Sequence, residues 1–209
     1  MQPDAEVEGE SWYVSTGHLP SPAQIQRWVD DAHERYQSIT DGKNAQIYPA
    51  LARVPSDLFG ICAVGTSGNV YQAGDATHEF AIMSAAKPFV FALVCQSLGA
   101  AEASSRLGVN ATGLPFNSYA AVEHNADGRT NPMVNAGAIA TTSLTPGDTT
   151  EAKWRFIHNG LSRFAGRMLS VDEEVYVSAS EANHRNRGLA NLLESYGRIY
   201  SDPTDAVNL

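Results

Sequence analysis

The chain has 209 residues, enough for one domain with a sizeable core or for a domain plus a lobe. Hydrophobic residues make up 43% and charged residues 18%, the balance of an ordinary globular soluble protein. Fourteen Lys and Arg against 23 Asp and Glu give a net charge of −9, which argues against nucleic acid and anionic membrane as main partners.

Met1 to Glu10 is acidic and lacks an apolar h-region, so no signal peptide is expected, and the apolar stretch around 88–95 is too short to cross a bilayer. The expected location is the cytoplasm. Residues 1–20 read as an irregular N-terminal arm. Ser21-Pro22 has the form of an N-cap followed by Pro at the first helical position, and Ile25, Trp28, Val29, Ala32 and Tyr36 recur at helical spacing, which predicts an amphipathic helix over 22–37. Residues 58–64 (LFGICAV) read as a buried strand, 66–69 as a turn and 70–73 as a second strand, together an antiparallel hairpin. A helix opens near Ser84 and is apolar on nearly all sides, with Phe89, Val90, Phe91, Leu93, Val94, Cys95 and Leu98; such a helix belongs at the centre of a fold. Gly-rich and Asn-rich loops fill 108–130. Further helices are predicted over 136–144, 150–168 and 185–197.

The domain boundaries expected from this layout put the N-terminal part of a sheet domain at 21–82 and the central helix with a helical lobe at 83–209. Two strands make a marginal sheet by themselves, so the hairpin must lie on helices or on further strands.

Ser84-Ala85-Ala86-Lys87 is a Ser-x-x-Lys tetrad. Positions i and i+3 share a helix face, so hydroxyl and amine can come within reach. A serine hydroxyl is a weak nucleophile that needs a base beside it, and a lysine desolvated by an apolar helix can serve as one. The tetrad alone reads more readily as a Ser N-cap followed by a solvated lysine. The two cysteines, Cys62 and Cys95, sit in apolar runs and read as buried thiols without disulfide or zinc spacing. The six histidines show no paired metal spacing and read as ordinary surface or core residues; no cofactor is expected. Asn110-Ala111-Thr112 fits a glycosylation sequon, which carries no meaning without a secretory signal. Asn131, before Pro132, reads as a turn or cap residue.

Beyond these local readings, four strings resemble the bacterial-type glutaminases: GKNAQIYPALARVPSDLFGICAVGTSGNVYQAGDATHEFAIMSAAKPF at 42–89, GVNATGLPFNS at 108–118, NPMVNAGAI at 131–139 and RNRGLANLLESYG at 185–197. The resemblance covers roughly residues 20–209, and NPMVNAGAI is its most specific string. It implies an α+β fold like that of the serine β-lactamases and penicillin-binding proteins, a helical lobe beside an antiparallel sheet packed with helices. It also implies hydrolysis of L-glutamine to L-glutamate and ammonia, without a metal, by a homodimer or homotetramer. Ser84 matches the family's nucleophile and Lys87 its partner base. Asn135 and Asn186 match substrate-binding asparagines, whose amides can donate to an α-carboxylate and accept from an α-ammonium. The Ser84 N–H, at a helix N-terminus, is a natural oxyanion donor.

The chain departs from the family pattern in three places. The family has Tyr-Ile-Pro ahead of the hairpin, with that tyrosine beside the nucleophile; here the order is Ile47-Tyr48-Pro49, which makes Tyr48 the candidate one place along. The family's amine-reading glutamate falls at Ala179, with Glu181 two residues later as a substitute. The family's remaining strands, two further site tyrosines and one oxyanion N–H fall beyond Leu209, so an incomplete sheet is expected here. The leading expectation is a glutaminase-like amidohydrolase acting through a serine acyl-enzyme. The alternatives are a truncated, inactive relative that acts by binding a partner, and a β-lactam-reactive acyl-serine protein.

Overall fold

The computed structural model describes residue 17 and residues 20–209, so most of the N-terminal arm lies outside the described residues. The described residues divide into two compact units, one formed by those up to 43 with 55–79, the other by 44–54 with 80–209.

In the first unit the Ser21 hydroxyl accepts from the Gln24 N–H and Pro22 occupies the first turn, so helix α1 (Pro22–Tyr36) begins where the sequence predicts. Strands β1 (Gly60–Val64) and β2 (Val70–Gly74) form a two-stranded antiparallel hairpin with Ala63 opposite Tyr71 and Cys62 opposite Gln72. Helix α1 packs on this hairpin, where Val29 and Tyr71 are buried. At its rim the His33 ring stacks on Phe59, with centroids 5.2 Å apart. Gly74 (φ 63) is required there, because a Cβ would stand 2.1 Å from His33 Nε2.

The reading of 58–64 as a buried strand is corrected. Side chains alternate across a strand, and Cys62 and Val64 share the face opposite to Tyr71. Both are exposed, as is Val70. Cys62 is therefore an exposed thiol and Cys95 a half-buried one, not the two buried thiols expected.

The second unit is helical: α2 (Pro49–Ala52), a 3-10 turn (Met83–Ala86) running into α3 (Lys87–Leu98), then α4 (Ala100–Arg106), α5 (Ala120–Glu123), α6 (Asn135–Ser143), α7 (Thr150–Ala165), α8 (Glu173–Glu181), α9 (His184–Ser195) and α10 (Pro203–Asn208). Its core gathers Val94, Leu107, Val122, Ile139, Leu144, Leu189 and Leu193. Helix α6, not α3, is the innermost element. Its Ala136, Gly137 and Ala140 have almost no side chain to hold neighbours off, and it packs against α3, α9 and α10. Helix α3 is apolar all round yet buries only Leu93 and Val94, while Phe89 lies out against Phe164 with ring centroids 5.0 Å apart. Gly160 of α7 lets Leu93 approach so closely that a Cβ there would fall 2.2 Å from its Cδ1.

The predicted helix over 150–168 ends earlier, at Ala165, where Gly166 takes the left-handed conformation that closes the last turn. Helices α2, α4, α5, α8 and α10 were not anticipated. Four of them are too short for periodicity to show, and in α8 the large apolar residues Val175, Tyr176 and Val177 are consecutive rather than spaced along one face. Among the described residues no single helix is long and apolar enough to cross a membrane; α3 with its preceding turn and α4 pass that test together but are bent by 117° at Gly99.

Candidate active site

Ser84 lies in the 3-10 turn and Lys87 opens α3, with the Lys87 N–H donating to the Ser84 carbonyl. Ser84 is exposed, and neither its hydroxyl nor its N–H has a hydrogen-bond partner among the described residues. The reading of Ser84 as a helix cap therefore has no support: the 3-10 turn and α3 both start without a side-chain cap. Met83, directly before it, has φ 43, the left-handed region that a side chain with a Cβ enters at a cost of about 1–3 kcal/mol. It is the only non-glycine residue with positive φ among the described residues.

Lys87 is half-buried rather than solvated. Its Nζ donates to Asn135 Oδ1 at 2.7 Å and to the Met133 carbonyl at 3.4 Å, and lies 5.8 Å from the centre of the Phe116 ring. Burial pushes its pKa below the ordinary lysine value of 10.5, because a charged ammonium loses water there. The carbonyl and the amide oxygen that accept from it remain as partial compensation.

Asn135 is the first residue of α6. Its N–H donates to the Phe116 carbonyl at 2.8 Å, which ties the helix start to the 116–119 loop. Its amide continues away from Lys87, with Nδ2 donating to Asn186 Oδ1 at 2.9 Å. Asn186 stands in the first turn of α9, and that turn is pinned to the same loop. Arg185 Nε donates to the Asn117 carbonyl at 2.8 Å, its guanidinium lies 4.8 Å from the Tyr119 ring centre, and the Tyr119 hydroxyl donates back to the Arg185 carbonyl. Gly188 leaves room for that hydroxyl, which a Cβ would meet at 2.4 Å.

Three of the residues singled out by sequence, Lys87, Asn135 and Asn186, thus join in one run of side chains, and Ser84 stands one helical step from Lys87. The other two do not join them. Tyr48 caps α2, is half-buried and makes no side-chain hydrogen bond among the described residues. Glu181 is exposed at the end of α8, where Ala179 and Ser180, not Glu181, line a cleft of about 350 Å³ that also holds Lys87, Met83, Tyr176 and Asn183. A comparable cleft of about 380 Å³ beside Thr150, Glu173 and Tyr176 contains none of the candidates. Among the described residues no group of three or more His, Cys, Asp or Glu could hold a metal ion. Sequence reasoning missed Asn183, which accepts from Asn186 Nδ2 through its Oδ1. The available signal was the Asn-x-x-Asn spacing, i and i+3 at a helix start.

The helix-rich α+β architecture is that of the β-lactamase-like proteins. A solved structure of the probable glutaminase ybaS superposes on 90% of this chain with a TM-score of 0.87 at 37% identity, the chain covering 61% of that structure. A probable glutaminase from Bacillus subtilis, solved with 6-diazo-5-oxo-L-norleucine, superposes on 94% of it with a TM-score of 0.73 at 27% identity, and 58% of that structure is covered. The glutaminase family model matches residues 42–209, and the chain belongs to the glutaminase family. It is 57% identical over its full 209 residues to Glutaminase 2 of Yersinia pestis, of which it covers 62%. It is 45% identical over 183 residues to the glutaminase of Colwellia psychrerythraea, of which it covers 59%. The chain therefore spans about three fifths of the length of the relatives it matches.

Proposed function

We propose that this chain carries the nucleophile and base of an amidohydrolase that converts L-glutamine to L-glutamate and ammonia. The observation that carries the reading is the half-buried Lys87, one helical step from an unpartnered Ser84 and hydrogen-bonded to Asn135, in a chain of the glutaminase family. In this reading Lys87 accepts the Ser84 proton as a neutral amine while Ser84 Oγ adds to the side-chain amide carbonyl. The C–N bond breaks, the proton passes to the leaving nitrogen, and ammonia departs. Water then cleaves the γ-glutamyl ester, and the Ser84 hydroxyl is restored. The free N–H of Ser84 is available to the developing oxyanion. Asn135 and Asn186 belong to the same proposal as amides facing the substrate. Tyr48 enters it only if the chain around Pro49 turns its hydroxyl to Ser84, and Glu181 only if the end of α8 turns inward.

Glutamine as substrate is supported by the family and by the Bacillus subtilis neighbour, whose bound 6-diazo-5-oxo-L-norleucine is a glutamine analogue with an electrophilic diazoketone. The proposal extends to a cytoplasmic homo-oligomer, resting on the resemblance and composition and tested by fractionation and sedimentation. The direct test treats the protein with that diazoketone and weighs it by mass spectrometry, alongside an ammonia-release assay. One equivalent of label on Ser84, absent in Ser84→Ala, is expected. Label that persists in Ser84→Ala would sink the assignment, and labelling by penicillin in place of the glutamine analogue would redirect it to β-lactam chemistry.

A further inference from the structure

The amide run that starts at Lys87 has a direction, and that direction identifies a residue that acts through others. A lysine ammonium has three donors and no acceptor, so it requires an oxygen from Asn135. With Oδ1 turned to Lys87, Asn135 has only its NH₂ left for Asn186, which must answer with Oδ1. Asn186 in turn has only its NH₂ for the next partner, and that partner is Asn183 Oδ1. Each amide is thus held in one of its two orientations by the next, and the run ends on the carbonyl oxygen of Asn183.

The ordinary role for Asn183 would be to cap α9, since it is the N-cap residue of that helix. Its side chain makes no cap hydrogen bond. Three residues on, where a capping oxygen commonly accepts from the backbone N–H, it accepts from the Asn186 side chain instead. The helix start keeps unsatisfied N–H groups so that Asn183 can hold Asn186. Asn183 also lines the cleft that holds Lys87 and Ala179.

We infer that Asn183 is a positioning residue: its carbonyl oxygen orients Asn186 and Asn135, and so keeps an acceptor, rather than a donor, against Lys87. Without it both amides can turn over, and Asn135 can present NH₂ to Lys87. Such an arrangement suits only the neutral amine. The use of Lys87 as a base belongs to the function proposed above; the orientation of the run does not depend on it.

The groups that face Lys87 are few. Met133 and Asn135 contribute oxygens, Phe116 its ring, and Ser84 stands on its own turn. Tyr176 is the other titratable side chain lining the shared cleft, Leu209 brings the terminal carboxylate of the 209-residue protein to it, and no acidic side chain lines it among the described residues.

The test follows the Lys87 side chain by NMR through a pH titration of the 209-residue protein, in the wild type, Asn183→Leu and Asn183→Asp. Leu keeps the bulk and removes the acceptor; Asp keeps the acceptor. A fall in the Lys87 midpoint of about one pH unit is expected in Asn183→Leu, with no fall in Asn183→Asp. A residue that only caps or packs would alter thermal stability and leave the Lys87 titration in place. An unmoved midpoint in a folded Asn183→Leu, or an equal fall in Asn183→Asp, overturns the inference; should Asn183→Leu not fold, Asn183→Ala is read by the same criterion. Diazoketone labelling separates the two proposals. If Lys87 responds as expected while Ser84 takes up no diazoketone label in the wild type, the positioning role stands and the glutaminase reading falls.

Discussion

Gly137 offers the sharpest test of how the site is held. It is the third residue of α6, and in an isolated helix Gly→Ala gains about 1 kcal/mol from propensity alone. Here the surroundings oppose it. A Cβ at Gly137 would stand 1.8 Å from the Asn131 carbonyl oxygen and 2.9 Å from that of Thr130, both backbone atoms. Real Cβ atoms essentially never approach closer than 3.0 Å, so helix and loop must part by 3.0 − 1.8 = 1.2 Å. The loop cannot yield cheaply. Asn131 bridges it, donating from Nδ2 to the Asn110 carbonyl and accepting the Met133 N–H on Oδ1, while the Gly108 N–H holds the Thr130 carbonyl. Overpacking of this kind costs about 3 kcal/mol, leaving a net loss of about 2 kcal/mol and a fall in Tm of about 4–8 °C. A 1.2 Å displacement taken up along the Lys87–Asn135 line would stretch 2.7 Å to 3.9 Å, beyond hydrogen-bond length. Thermal unfolding of Gly137→Ala beside the wild type measures the first effect, and diazoketone labelling of Ser84 the second. A Tm equal to or above the wild type would refute the reasoning, since propensity would then outweigh the contact.

Two further outcomes are expected. Lys87 has its pKa lowered by burial in the folded chain and keeps 10.5 when unfolded, so between those values the unfolded chain binds the extra proton. The penalty of burying the ammonium is therefore complete below the folded pKa and disappears as pH rises to 10.5. Urea unfolding of the wild type and Lys87→Met, near neutral pH and again close to 10.5, should show the difference moving in favour of the wild type at high pH; a constant difference would exclude burial as the cause. On the glutaminase reading, Ala179→Glu places a carboxylate in the cleft for the substrate's α-ammonium. A charge-assisted hydrogen bond of roughly 1.5–3 kcal/mol predicts a KM for glutamine lower by about ten- to a hundredfold with kcat little changed. An unchanged KM would show that the amine is not read at that position.

The elements that sequence alone determined are those specified by near neighbours along the chain. Ser21-Pro22 started α1, the helical periodicity over 150–168 marked α7, and the turn at 66–69 made the hairpin. The Ser84–Lys87 spacing and the NPMVNAGAI string, with its Asn135, were readable in the same way, because each depends on spacing over a few residues. What only the tertiary structure decided is which side chains meet. The partner of Lys87 lies 48 residues away and the next amide a further 51, joined because α3, α6 and α9 converge around small residues of α6. Burial likewise depended on what lay opposite: Cys62 and Val64 of the apolar run at 58–64 are exposed because α1 covers only the other face of the hairpin, and α3 gave up the centre to the slimmer α6. An asparagine can cap a helix, close a turn or pass on a hydrogen bond with the same four atoms. Asn183 was therefore unreadable until the group that its oxygen accepts from was in place.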